Sequence, residues 1–205
     1  PGVHCINSYS CNRAQHIRQD LMFVLKKITH KGILLLLFGA LCVSAQISTT
    51  REYQIKAAFL FNFTQFVEWP SQSFSTPQSN AVIGILGPNP FGNYLEETIT
   101  GESINKHPLV IRHFNSVDDI INCQVLFINI QDKGQLQTII EKLKGKNILT
   151  ISDANGFSKL GGMIRLYTKD DKINMQVNLE AAKAENLIIS SKLLKLAEIV
   201  KTDNK

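Results

Sequence analysis

Residues 52–70 read EYQIKAAFLFNFTQFVEWP, and the fold turns on how this stretch is read. It holds four of the eleven phenylalanines and the chain's one tryptophan. Ile55, Phe59, Phe63 and Phe66 recur at i, i+4, i+8 and i+11, the stripe of an amphipathic helix. Ala58, Leu60, Phe61 and Val67 carry apolar surface beyond that stripe. Gln54, Lys56, Gln65 and Glu68 are left as a narrow polar face. Trp69 precedes Pro70, and a residue before proline is pushed away from α geometry, so the helix is predicted to end there. At ~1.5 Å per residue it would be a rod of about 27 Å, long enough to cross a small domain. The rest of the chain is expected to pack against it.

Upstream, the first methionine is Met22. Lys26, Lys27 and Lys31 form a basic region, residues 33–43 an apolar run, and Val43-Ser44-Ala45 a small-residue cleavage site. That is the plan of a secretory signal, with an apolar run too short to span a bilayer. Residues 1–21 are read as upstream sequence, 22–45 as a cleavable signal peptide, and 46–205 as one α/β domain.

The cut changes what the composition means. Five of the 22 Lys+Arg and one of the 17 Asp+Glu precede Ala45, leaving 17 against 16, a formal charge of +1. No basic cluster remains for a phosphate backbone, which argues against nucleic acid as a partner. Cys5, Cys11 and Cys42 also precede the cut. Cys123 is then alone, forms no internal disulfide, and heads an apolar run where a buried small side chain is expected.

After a Ser/Gln/Pro-rich loop (71–80), short apolar runs alternate with helical patterns. Strands are predicted at 81–86, 108–114, 125–130 and 147–151. Helices are predicted near 91–100, 116–122 and 135–144, with Ser116 as a cap and Leu136, Ile139, Ile140 and Leu143 on one face. This is the pattern of a mostly parallel sheet covered by helices on both faces. Residues 163–168 and 173–178 flank a polar turn and predict an antiparallel hairpin at the C-terminal edge. Residues 179–185 and 190–201 are read as closing helices, with Leu193, Leu194, Ala197 and Val200 on one face of the second.

No nucleotide-binding, zinc-protease, CxxC or GxSxG motif is present, and no catalytic residue, cofactor or metal site is assigned. His107 and His113, six apart in an extended run, would share a face, but no cysteine or carboxylate accompanies them. A phosphoacceptor receiver domain needs an aspartate at the end of its third strand. Asn129 stands there instead. In open parallel sheets, ligands sit at the carboxyl ends of the strands. The loops 87–92 and 152–156 fall there and supply Asn89, Ser152 and Asp153 as candidate ligand-binding residues. Arg112 and Arg165, the arginines within strands, are added as candidate clamps for a carboxylate or phosphate. The plain alternative is that these loops only turn the chain and the arginines pair with surface acids. Phe61 and Trp69 are interface candidates, with burial within the monomer as the other explanation of the helix's excess apolar surface.

The blocks KAAFLFNFTQFVEWP (56–70), VIGILGPNPFG (82–92), CQVLFI (123–128), LTISDANGFSKLGGMI (149–164) and VNLEAAKAENLIISSKLLKLAEIV (177–200) resemble the YfiR/HmsC-type family of exported bacterial regulatory proteins. The resemblance implies a periplasmic, non-catalytic α/β protein, commonly a homodimer. It further implies restraint of an inner-membrane signalling protein through that protein's periplasmic domain. A diguanylate cyclase is the partner in characterised relatives, with control of cyclic-di-GMP and biofilm, and a histidine kinase is the other partner class considered. Cys123 stands where some relatives place a disulfide cysteine, but neither 81–86 nor 156–162 offers it a partner. A periplasmic small-molecule sensor using the strand-end loops is the second expectation.

Overall fold

The computed structural model describes residues 51–203. The expected upstream segment, signal peptide and cleavage point lie outside the described residues. The chain runs α1 (51–66), β1 (Val67–Glu68), β2 (Ala81–Leu86), α2 (Tyr94–Ile99), β3 (Ser103–Ile104), β4 (His107–Phe114) and β5 (Val125–Ile128). It continues as α3 (Lys133–Leu143), β6 (Leu149–Ser152), β7 (Ile164–Lys169), β8 (Lys172–Asn178), α4 (Leu179–Ala184), β9 (Ile188–Ile189), α5 (Ser191–Leu194) and β10 (Glu198–Val200).

Eight strands form one mostly parallel sheet in the order β10-β8-β7-β6-β5-β2-β4-β3, so the protein is a mixed α/β domain. The strands β4-β2-β5-β6-β7 are all parallel. In chain order they read 2-1-3-4-5, an order of doubly wound sheets, and the order reverses between β2 and β5. All residues of β2, β5 and β6 are buried, which is why β2 and β5 read as continuous runs without polar positions, while β6 buries Thr150 and Ser152 on hydrogen bonds.

Alternate residues of these strands enter two apolar clusters. Ile83, Ile85, Val125, Phe127, Leu149 and Ile151 join Ala57, Leu60 and Phe63 of α1. Val82, Leu86, Leu126 and Ile128 join Leu136, Ile139, Ile140 and Leu143 of α3. The Asp132 side chain caps α3 by accepting from the Gln135 N–H at 2.8 Å. Ser116 accepts from the Asp118 N–H at 3.3 Å, although the element it starts is one 3-10 turn, Val117–Asp119.

Expectations for α1, the last helix and the hairpin are corrected. The buried stripe of α1 is Lys56, Ala57, Leu60, Phe63 and Thr64, continued by Val67 of β1, while Ile55 is 42 % exposed. Lys56, read as polar surface, is 2 % exposed. Both stripes are regular at helical spacing, and the phenylalanines outweighed a stripe that begins with a lysine. The helix also ends at Phe66, ahead of Trp69. Val67 and Glu68 pair with Ile189 and Ile188, and the Phe66 carbonyl accepts from the Ser190 N–H at 2.8 Å.

The last helix is one turn, because β-branched Ile199 and Val200 pair with Val177 and Asn178 of β8. The β7–β8 pair is antiparallel, turning through Asp170 and Asp171 at positive φ. With β10 outside β8, that pair is not the sheet edge.

Candidate functional site

The carboxyl ends of β2, β5 and β6, beside the reversal in strand order, are closed by the start of α1. Phe91, which follows β2, is 1 % exposed and packs edge-on against Phe127 at 4.8 Å and Tyr53 at 5.6 Å. The Tyr53 hydroxyl donates to Asp153 Oδ2 at 2.8 Å. The Lys56 ammonium lies 2.7 Å from the same oxygen and 2.7 Å from Glu52 Oε1. It also lies 4.5 Å from the centre of the Tyr53 ring. Gln131, which follows β5, donates to Asp153 Oδ1 at 3.1 Å. Two strand ends and one helix therefore converge on a single carboxylate, with Phe91 of the third packed beside Tyr53.

The electrostatics follow from that convergence. The side chains of Lys56 and Asp153 are 2 % and 10 % exposed, so each charge depends on the other. Burial alone would raise the Asp153 pKa. The Lys56 ammonium, with the Tyr53 and Gln131 hydrogen bonds, outweighs burial and holds the carboxyl below its ordinary value. Burial first, then the Asp153 carboxylate, push the Tyr53 hydroxyl up. Such a site fixes α1 to the sheet. Its ammonium is already paired with two carboxylates, which leaves no free nucleophile on it.

The remaining candidates are placed as follows. Asn89 folds back on its own loop: its amide donates to the Gly92 carbonyl at 3.1 Å and its Oδ1 accepts from the Phe91 N–H at 2.9 Å. Ser152 is fully buried, donates to the Ile128 carbonyl at 2.7 Å and accepts from the Ala154 N–H at 3.1 Å. Both act on the backbone.

Arg112 is exposed on β4. Arg165 lies on β7, with Nη1 donating to Gln176 Oε1 at 3.3 Å and its guanidinium 4.8 Å above the Tyr167 ring. Four strand spacings of ~4.8 Å, about 19 Å in all, separate the two strands, so each arginine stands in its own surroundings. Phe61 is half-buried against the α1 cluster. Trp69 is buried, and its indole N–H donates to the Gln124 carbonyl at 3.1 Å. His107 is buried, stacked on Phe74 at 4.0 Å, with Nδ1 2.6 Å from the Ser79 carbonyl, while His113 is exposed. The two histidines do not share a site.

Sequence reasoning names Asp153 as a ligand contact, whereas the structure engages it with Lys56, Tyr53 and Gln131, none of which that reasoning singles out. The available signal was Glu52-x3-Lys56, an i, i+4 pair on an otherwise apolar helix.

Gly87 and Asn129 close the switch point itself. A Cβ at Gly87 would stand 2.8 Å from the Asn129 carbonyl oxygen, and the residue has φ +94. Beside it lies a hollow of about 530 Å³, lined in part by Leu86, Asn115, Ile130, Gln135 and Thr138.

A search of curated proteins finds no match. The model of the YfiR/HmsC-like family matches residues 53–198, a span that takes in Tyr53, Lys56, Gln131 and Asp153. The match covers more than half of the chain and nearly all of the described domain: the chain belongs to the YfiR/HmsC-like family.

Proposed function

We propose that the protein is a non-catalytic regulator, exported to the periplasm through a cleavable signal at residues 22–45, that binds and restrains a membrane signalling partner. Family membership over residues 53–198 carries this reading, because that family fits a regulatory role. On the α1 side the strand ends are filled by Tyr53, Lys56 and Phe91, which supports recognition by surfaces there. Among the described residues no helix is long and apolar enough to cross a membrane.

The partner we favour is the periplasmic domain of a diguanylate cyclase, with a histidine kinase second. The protein would act as a homodimer, with Phe61 on an interface. On this reading α1 screens one face of the sheet and α3 the other, a layering supported by the division of the core into two clusters. Crosslinking in intact cells tests the partner. A cyclase recovered with the protein agrees with the proposal, and recovery of no membrane protein opposes it.

The second reading is a small-molecule sensor, favoured by the 530 Å³ hollow beside the switch point. Thermal shift against nucleotides and amino acids tests it, and a midpoint that no ligand raises argues against it.

A further inference from the structure

A cleft of about 300 Å³ opens at the amino ends of β6 and β7, on the α3 side of the sheet. Ile140, Ile148 and Met163 give it an apolar lining. Its charged lining is uneven: three carboxylates, Glu141, Glu180 and Glu185, against one ammonium, Lys144. Lys144 lies 2.7 Å from Glu141, and Glu180 lies 3.8 Å from Lys201, both exposed pairs.

Glu185 differs from the others. It is 7 % exposed, and its two oxygens accept from the backbone N–H groups of Gly145 at 2.7 Å and Asn147 at 2.9 Å. No cationic side chain pairs with it among the described residues. Backbone N–H groups take one acceptor position on each oxygen, which leaves a second position on each and no cationic partner, a costly state for a buried carboxylate. The C-terminal ends of α3 and α4 meet at the same cleft through Leu143 and Ala184.

We infer that this cleft binds a primary ammonium on a short aliphatic stem, with the ammonium at Glu185 and the stem against Ile140, Ile148 and Met163. A bare divalent cation fits less well, because it needs several oxygen ligands and most of the lining is apolar. The volume stands at the small end of ligand sites, ~300–1,000 Å³, which suits a molecule of a few carbons. Free amines and lysine side chains of another protein share this chemistry. The inference is independent of the partner reading.

Calorimetric titration of the purified protein with butylammonium and with 1-butanol tests it. Butylammonium binds saturably, and the alcohol binds at least about tenfold more weakly for want of the charge-assisted bond. Ala184 lines the cleft at an exposed helical position, so Ala184→Leu fills the space without touching the core. That variant stays folded by circular dichroism and loses butylammonium binding. Glu180→Gln, at the exposed rim, weakens it by no more than about fivefold. Nα-acetyl-lysine amide separates the two sources. Binding of butylammonium alone supports a free amine, and binding of both supports a lysine side chain as well. Equal affinity for alcohol and ammonium, no saturable ammonium binding, or unchanged binding by Ala184→Leu overturns the inference.

Discussion

Replacing Lys56 by methionine removes the cation from the site that fixes α1 while keeping most of the side-chain volume. Asp153 would then be a carboxylate whose side chain is 10 % exposed and which keeps only the Tyr53 and Gln131 hydrogen bonds. Removing one partner of a buried pair costs ~3–5 kcal/mol, and the two remaining donors put the expectation near the lower end, about 3 kcal/mol. For a domain of this size that lowers the thermal midpoint by roughly 6–12 °C.

The pH dependence gives a second signature. The folded-state pKa of Asp153 lies below its ordinary value of 3.8, so its contribution is fully present above that value and is lost as pH falls through the folded pKa. In Lys56→Met, burial is opposed only by the Tyr53 and Gln131 hydrogen bonds, and the carboxyl rises relative to the parent protein. Part of the penalty is then relieved by protonation, and the difference between the two proteins narrows toward acid. Adding Asp153→Leu removes the stranded charge, and the double variant costs less than the two single changes together, by about 2 kcal/mol. Urea unfolding at pH 7 and pH 4 measures all of this. A Lys56→Met cost below about 1 kcal/mol, the range of an exposed ion pair, with no narrowing toward acid, would refute the reasoning.

Gly84→Ala is expected to cost about 1–3 kcal/mol, read from the urea midpoint. Its Cβ would stand 2.7 Å from the Phe114 ring and 2.9 Å from Cys123 Sγ. Cys123 is 3 % exposed, and burial pushes its thiol up to about 12. In protein cleaved after Ala45, a thiol reagent at pH 8 should therefore react only on unfolding, and rapid labelling of the folded protein would contradict that burial. Phe61→Glu is expected to leave a folded domain about 1 kcal/mol less stable while abolishing self-association, checked by circular dichroism and sedimentation. Loss of folding would assign that side of α1 to the core.

The parallel strands were legible because burial on both faces writes itself as continuous apolar runs, as in Val125-Leu-Phe-Ile128. Two-residue pairings such as β1 with β9 carry no such signal, since Val67-Glu68 reads as the tail of a helix until Ile188-Ile189 is placed beside it. The C-terminal strand was hidden for a related reason: Leu193, Leu194, Ala197 and Val200 are helically spaced, and only the open edge of β8 draws Ile199 and Val200 into extended pairing.

The site was half legible. Asp153 stands where strand-end loops carry function, but its partners come from a helix about 100 residues away in sequence. Hydrophobic periodicity treats a buried, ion-paired lysine as a surface residue, so Lys56 was invisible to it. Arg112 and Arg165 illustrate the converse. Residue type offered each as a clamp of its own, and strand order sets three strands between the two positions.

The most direct test of the regulatory account is intracellular cyclic-di-GMP in the host with and without the gene. The account predicts a rise on deletion, reversed by the full chain and not by a form lacking residues 22–45. Unchanged cyclic-di-GMP on deletion, or rescue by the form without that signal, would contradict it.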